Sequence, residues 1–156
     1  MTDLHVRMAR PADLARIEEL VAGMFRDLGT TVIPGTWSPE LRHALASRLG
    51  RDVGAYVTAD QADQPIAIAV GIVDHRLPSP RRLTGRIGYV EWLATDERHR
   101  RRGAARMALN ELLRWFDGLG IDTVDVHASN AAHRLYTDVG FITPAASPLR
   151  RSTADT

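Results

Sequence analysis

The chain has 156 residues, of which 44% are hydrophobic and 25% charged, and its formal net charge is +1. Those values fit a single soluble globular domain over residues 1–156, long enough to bury a core without cross-links, and the near-neutral total argues against a nucleic-acid partner. The sequence holds no cysteine, which excludes a disulfide framework, a thiolate zinc site, an iron-sulfur cluster and a cysteine nucleophile.

Leu4, Val6 and Met8 alternate with His5, Arg7 and Ala9, the period of a half-buried strand. Pro11 and Asp13 open a helix whose apolar positions Leu14, Ile17, Leu20, Val21, Met24 and Leu28 follow the helical period. Residues 29–37 read as a loop. Ser38 ahead of Pro39 and Glu40 is a helix start, with Ser as the cap and Pro at the first helical position. That helix buries Leu41, Leu45 and Leu49 and stops at Gly50. Strands follow at 53–59 and 65–73, and residues 74–85 form a cationic loop or extended hairpin carrying Arg76, Arg81 and Arg82. RIGYVEWLAT (86–95) predicts another strand, residues 98–103 a short basic loop, and residues 104–119 a strongly apolar helix ended by Gly118 and Gly120. A strand at 123–128 and a helix from Asn130 to Val139 come next. Phe141 and Ile142 begin a last strand, and residues 146–156 form a partly frayed tail. The order predicts an α/β protein with a mixed sheet and about four flanking helices. No apolar run reaches the ~18 residues of a membrane span, and the first residues lack the apolar stretch of a signal peptide, so the expected location is cytoplasmic with no membrane partner.

All 20 basic residues are Arg, and residues 74–106 hold nine of them against four carboxylates. The densest run lies between a strand and an apolar helix. A helix N-terminus offers unpaired amides and a positive dipole end to phosphate. Gly103, Ala104 and Ala105 keep side-chain bulk away from it, while Arg100, Arg101, Arg102 and Arg106 add cations. The expected ligand is a pyrophosphate. It is not held by a P-loop, since the chain has no lysine, nor by a GxGxxG turn, which is absent.

Arg100, Gly103 and Ala105 spell Arg-x-x-Gly-x-Ala, which resembles the acyl-CoA pyrophosphate loop of the GNAT superfamily of N-acetyltransferases. YVEWLAT stands just before it, where that family's splayed central strand holds the acetyl group and pantetheine. SNAAHRLYTDVGF further on is similar to the family's Asn-x-x-Ala-x-x-Leu-Tyr-x-x-x-Gly-Phe segment, with Asn130, Leu135, Tyr136, Gly140 and Phe141 in place and His133 where Ala is common. The element order agrees from residue 3 to 143.

The resemblance implies a mostly antiparallel sheet with a splayed central strand and direct transfer of an acetyl group from acetyl-CoA to a primary amine of a small molecule or protein. Transfer would occur in a ternary complex, with no metal. It places the oxyanion donor on the backbone of Leu93, pantetheine contacts on Ala94, Thr95 and nearby amides, and the general acid on Tyr136. Asn130 bonds the cofactor or the substrate, or else caps its helix. The family fixes no single base; Glu91 shares strand parity with Leu93 and Thr95 and so faces the amine, or is a solvated partner of an Arg. Phe25 and Trp37 line the acceptor pocket or belong to the core. His127 and His133 have no carboxylate at metal-ligand spacing. The alternative is a non-catalytic acyl-CoA-binding or sensing module of the same fold. The acceptor, the size of the acyl group and a homodimeric state stay open.

Overall fold

The computed structural model describes residues 3–154. Strands β1 (His5–Met8), β2 (Val53–Ala59), β3 (Pro65–His75), β4 (Arg86–Thr95) and β5 (Val124–Val126) form one sheet in that order. The first four are antiparallel neighbours, and β5 joins β4 in parallel. Helices α1 (Leu14–Asp27), α2 (Ser38–Arg48), α3 (Ala104–Gly118) and α4 (His133–Asp138) cover the sheet, with 3-10 turns at Pro11–Asp13 and Glu97–His99.

Both faces of the sheet are covered, which is why β2 and β3 are buried almost throughout rather than at alternate residues. On one face Ile17, Leu20 and Val21 of α1 and Leu41 and Leu45 of α2 pack on Val57, Ile68, Val70 and Ala94. On the other, Leu109, Leu112 and Phe116 of α3 pack on Ala69, Val73 and Val90, and Tyr136 of α4 closes the end of that core. Phe116 lies so close to the sheet that a Cβ at Gly71 would stand 2.6 Å from its ring, so Gly71 and Gly88 beneath Phe116, like Gly54 beneath Trp115, are steric requirements.

Several local expectations change. Leu28 lies past the end of α1 and is 57% exposed. Ser38 is the first residue of α2 rather than its cap, and its hydroxyl donates to Glu18 of α1 at 2.6 Å. The strand read at 123–128 is three residues long. The helix expected from Asn130 starts at His133, because the turn before it is tied by the Ala132 amide to the carbonyl and hydroxyl of Ser129. No strand forms at Phe141 and Ile142. The Phe141 amide is spent on the Tyr136 carbonyl, closing α4 at 3.0 Å, the Phe141 ring packs on Tyr136, and Ile142 is 85% exposed.

Two features of β4 shape the cleft. Its pairing with β5 covers only Gly88, Tyr89 and Val90, while its pairing with β3 continues to Thr95. Residues 91–95 therefore have a covered edge and an open one: the central strand is splayed. A bulge falls where the splay begins, since Val70 pairs with Trp92 and Gly71 with Val90, leaving Glu91 without a partner.

Candidate active site

The bulge overturns the parity argument for Glu91. Val90 and Leu93, three residues apart, pack into the core under α3, and Trp92 and Ala94 into the opposite core. The extra residue breaks the alternation, so Glu91 does not simply repeat the face of Leu93 and Thr95. It is exposed. Its charge reaches Arg48, whose pKa is raised first by hydrogen bonds to Asp52 and further by Glu91, and it reaches Tyr89, whose hydroxyl is pushed up by burial and then by Glu91. The exposed Glu91 is thus within electrostatic reach of Arg48 at the end of α2 and of Tyr89. Leu93 is half-buried, Ala94 buried, and Thr95 half-buried on the wall of a cavity of about 550 Å³ between α1 and the loop after β4.

That loop is anchored before it turns. The buried Asp96 carboxylate accepts from the Arg98 amide at 2.9 Å, the Arg98 guanidinium at 3.2 Å and Arg16 of α1 at 2.5 Å, contacts that hold it far below the usual carboxylate range. Beyond it, Arg101 (φ 64°) and Gly103 (φ 76°) adopt left-handed backbone conformations. Among the described residues, the amides of residues 101–106 meet no acceptor; Met107 is the next residue to donate, to the Gly103 carbonyl at 3.0 Å. The buried Thr58 hydroxyl donates to the Ala104 carbonyl at 2.6 Å, pinning the first turn of α3 to β2. Successive unpaired amides at a pinned helix start form a fixed concave donor set for phosphate oxygens.

The side chains here divide the work differently from the expectation. Ala104 is buried against Ile66 and Ala67, so its small side chain serves packing. Arg100 pairs with Asp27 at the end of α1 at 2.5 Å, Arg106 with Asp138 of α4 at 3.0 Å, and Arg102 lies 3.3 Å from His99. All three pairs are exposed. Arg101 has no hydrogen-bond partner among the described residues.

Tyr136 is 5% exposed and packs edge-on to Phe141, with ring centroids 5.2 Å apart. Burial, followed by the nearby Tyr89, pushes its pKa well up. A phenol in that state keeps its proton. Asn130 is exposed in the loop before α4 and caps nothing. Trp37 sits edge-on to Trp92, centroids 6.4 Å apart, and both, with Phe25, are half-buried against the core under α1 and α2. Where β4 and β5 part, the Tyr89 hydroxyl lies 2.6 Å from Nδ1 of His127. Reading the sequence missed this pair and Trp92. The pair's only sequence signal is that Tyr89 and His127 lie in two predicted strands; nothing in one chain announces that those strands are parallel neighbours. Among the described residues no cluster of side chains could hold a metal ion, and no helix is long and apolar enough to cross a membrane.

Similarity to known proteins follows this geometry. The structure superposes on a predicted acetyltransferase from Clostridium acetobutylicum with acetyl-CoA, with a TM-score of 0.83 and 20% identity over 96% of both chains. It superposes on a GCN5-related N-acetyltransferase from Ralstonia eutropha, TM-score 0.80 and 23% identity, over 96% of this chain and 99% of that one. The aminoglycoside N-acetyltransferase AAC(6')-Iy, in complex with a bisubstrate analogue, CoA-S-monomethyl-acetylneamine, gives a TM-score of 0.78 at 12% identity, over 97% of this chain and 99% of that one. No curated protein matches the sequence. At these identities the superpositions establish the fold. The sequence model of the Acetyltransferase (GNAT) family matches residues 16–141, from early α1 through the end of α4, and the chain belongs to that family.

Proposed function

We propose that the chain moves the acetyl group of acetyl-CoA directly to a primary amine within a ternary complex. The observation that carries this reading is the continuity of the open edge of β4, residues 91–95, with the unpaired amides of residues 101–106. An extended acyl-pantetheine arm laid along that edge would end in a pyrophosphate at the start of α3. The fit is to a chain-like ligand with an anionic end, and it needs no resident metal.

In this reading the amides of residues 101–106 and the side chains of Arg100, Arg101, Arg102 and Arg106 hold the pyrophosphate. Leu93 presents its backbone N–H to the thioester oxygen, where charge develops as the amine adds to the carbonyl. Ala94 and Thr95 hold the pantetheine, and Asn130 contacts the cofactor from the loop before α4. The new N–C bond forms as the C–S bond breaks, and the departing CoA thiolate takes the proton of Tyr136, which burial keeps on the phenol. Glu91 draws the acceptor's ammonium to the bulge and is the first station for its proton, directly or through a water. Phe25, Trp37 and Trp92 wall the acceptor side. A cytoplasmic location, where acetyl-CoA is available, goes with this reading.

The test combines calorimetry of acetyl-CoA binding with thiol release over a panel of amines: a polyamine, an aminoglycoside, free amino acids and lysine peptides. Turnover with at least one class is expected. Tight acetyl-CoA binding without thiol release from any of them would replace the transferase reading by a binding or sensing module.

A further inference from the structure

Tyr89 lies on β4 opposite Asp125 of β5 in parallel register, and His127 follows Asp125 by two residues. Tyr89 alternates with Gly88 and Val90, which meet the α3 core, so it stands on the other face of the sheet, the one that carries Trp92 and α2. Its hydroxyl reaches Nδ1 of His127 at 2.6 Å, and the rings meet edge-on with centroids 5.7 Å apart. The bulge at Glu91 begins two residues on, at the mouth of the splay. His127 is exposed, so its ring meets solvent.

We infer that Tyr89 and His127 form a proton-transfer couple that carries the acceptor amine's proton from the cleft to solvent. The inference rests on the acetyl-transfer reading and adds the last stations of the proton's path. An ammonium of pKa near 10 is protonated at neutral pH and cannot attack a thioester. A carboxylate can hold that cation but is a weak resting place for its proton, whereas imidazole titrates near neutrality. With the neutral His127 ring protonated on Nε2, Tyr89 donates its hydroxyl hydrogen to Nδ1. As the amine's proton, released directly or by way of Glu91, arrives on the Tyr89 oxygen, the hydroxyl hydrogen passes to Nδ1. One proton enters and one moves on, leaving a neutral Tyr89, a free amine and an imidazolium that returns its proton to solvent. Glu91 on β4, Asp125 on β5, Tyr136 on α4 and Arg150 in the tail are the other charged or titratable groups in electrostatic reach. His127 acts through Tyr89; Tyr89 is the member that meets the substrate.

The experiment is the pH profile of kcat/KM from pH 5 to 9 for the full chain and for Tyr89→Phe, His127→Gln and the double variant, using an amine from the panel that the parent turns over. The parent should show an acid limb, losing rate as the pH falls. His127→Gln should fall by about 10² at neutral pH and lose that acid limb. Tyr89→Phe should behave alike, and the double variant should be no worse than either single one, because the two act as a unit. Melting temperatures within a few degrees of the parent keep the rates interpretable, and if one single variant fails to fold, the other carries the test. An unchanged rate and acid limb in a folded single variant overturns the couple while leaving acetyl transfer intact. Absence of turnover by the parent with every amine overturns the transferase reading and the couple with it.

Discussion

Replacing Tyr136 by Phe removes one oxygen from a side chain that is 5% exposed and whose ring stays packed on Phe141. The ring packing on Phe141 is kept, and the stability change should stay within about 1 kcal/mol. For a chain of this length that is at most about 4 °C in Tm. The effect on catalysis is expected to be far larger. Donation of a proton to the departing thiolate contributes about 10²–10⁴ in rate, or roughly 3–5 kcal/mol of barrier. Since burial raises the Tyr136 pKa, the group is protonated across the working range, which suits the proposed role of donor rather than phenolate base. Thiol-release kinetics of Tyr136→Phe should therefore show kcat reduced by that factor, with acetyl-CoA affinity by calorimetry and Tm close to the parent's. A variant that turns over at the parental kcat, or whose rate falls only in step with its folded fraction, would return Tyr136 to a packing role.

Gly103→Val should weaken acetyl-CoA binding by at least about tenfold, because at φ 76° a β-branched residue is strained and its Cβ would project into open space beside the unpaired amides; an unchanged Kd in a folded variant would remove the backbone cradle. Glu91→Gln should raise KM for a cationic amine at neutral pH, with the loss shrinking as the amine deprotonates towards its own pKa of about 10, and it should leave the acid limb assigned to His127 in place. The carboxylates held low in the fold set its acid stability. Asp96 is lowered by Arg98 and Arg16, Asp63 is lowered to about 2 by Arg7 and His5, and Asp13 is lowered by Arg7 against an opposing effect of burial. Lowered carboxyl pKa values stabilise the fold above the unfolded value of about 4, and that stability is lost as pH falls through the folded values, so Tm should drop steeply towards pH 2. A Tm that stays level from pH 5 to pH 2 would contradict these contacts, and Asp96→Asn should remove part of the slope.

Much of this architecture was legible in the chain because it rests on local periodicity. The stripe Leu14, Ile17, Leu20 and Val21, the continuous apolar run of β3, and Gly103 ahead of α3 each encode their element within a few residues. What stayed hidden depends on pairing between distant segments. The bulge at Glu91 is a register slip against Val70 and Gly71 some twenty residues away, and no alternation within RIGYVEWLAT reveals it. The same holds for Tyr89 and His127, joined by the parallel register of β4 and β5, and for Trp37 and Trp92, joined by α2 folding over the sheet. The misread last strand is instructive in a different way: Phe141 and Ile142 are good strand formers, but the Phe141 amide and ring are both committed to closing α4.

The expected anion site combines helix-start amides with a run of arginines, and the structure shows how these two sets of donors differ. The run's composition points to anion binding by guanidinium groups, yet Arg100 and Arg106 are engaged with Asp27 and Asp138, at 2.5 and 3.0 Å. Exposed pairs of this kind are worth about 0–1 kcal/mol, so a phosphate can displace them at little cost, and they keep the cations near the loop. The amides of residues 101–106 have no such alternative. The left-handed Arg101 and Gly103, the Asp96 anchor and the Thr58 bond to Ala104 hold them in one arrangement before any ligand arrives. On the proposed reading, the backbone would supply the preorganised, orientation-dependent share of anion binding, and the guanidinium groups an exchangeable share that salt screens. On that division, Gly103 matters more to the site than any single member of the arginine run beside it.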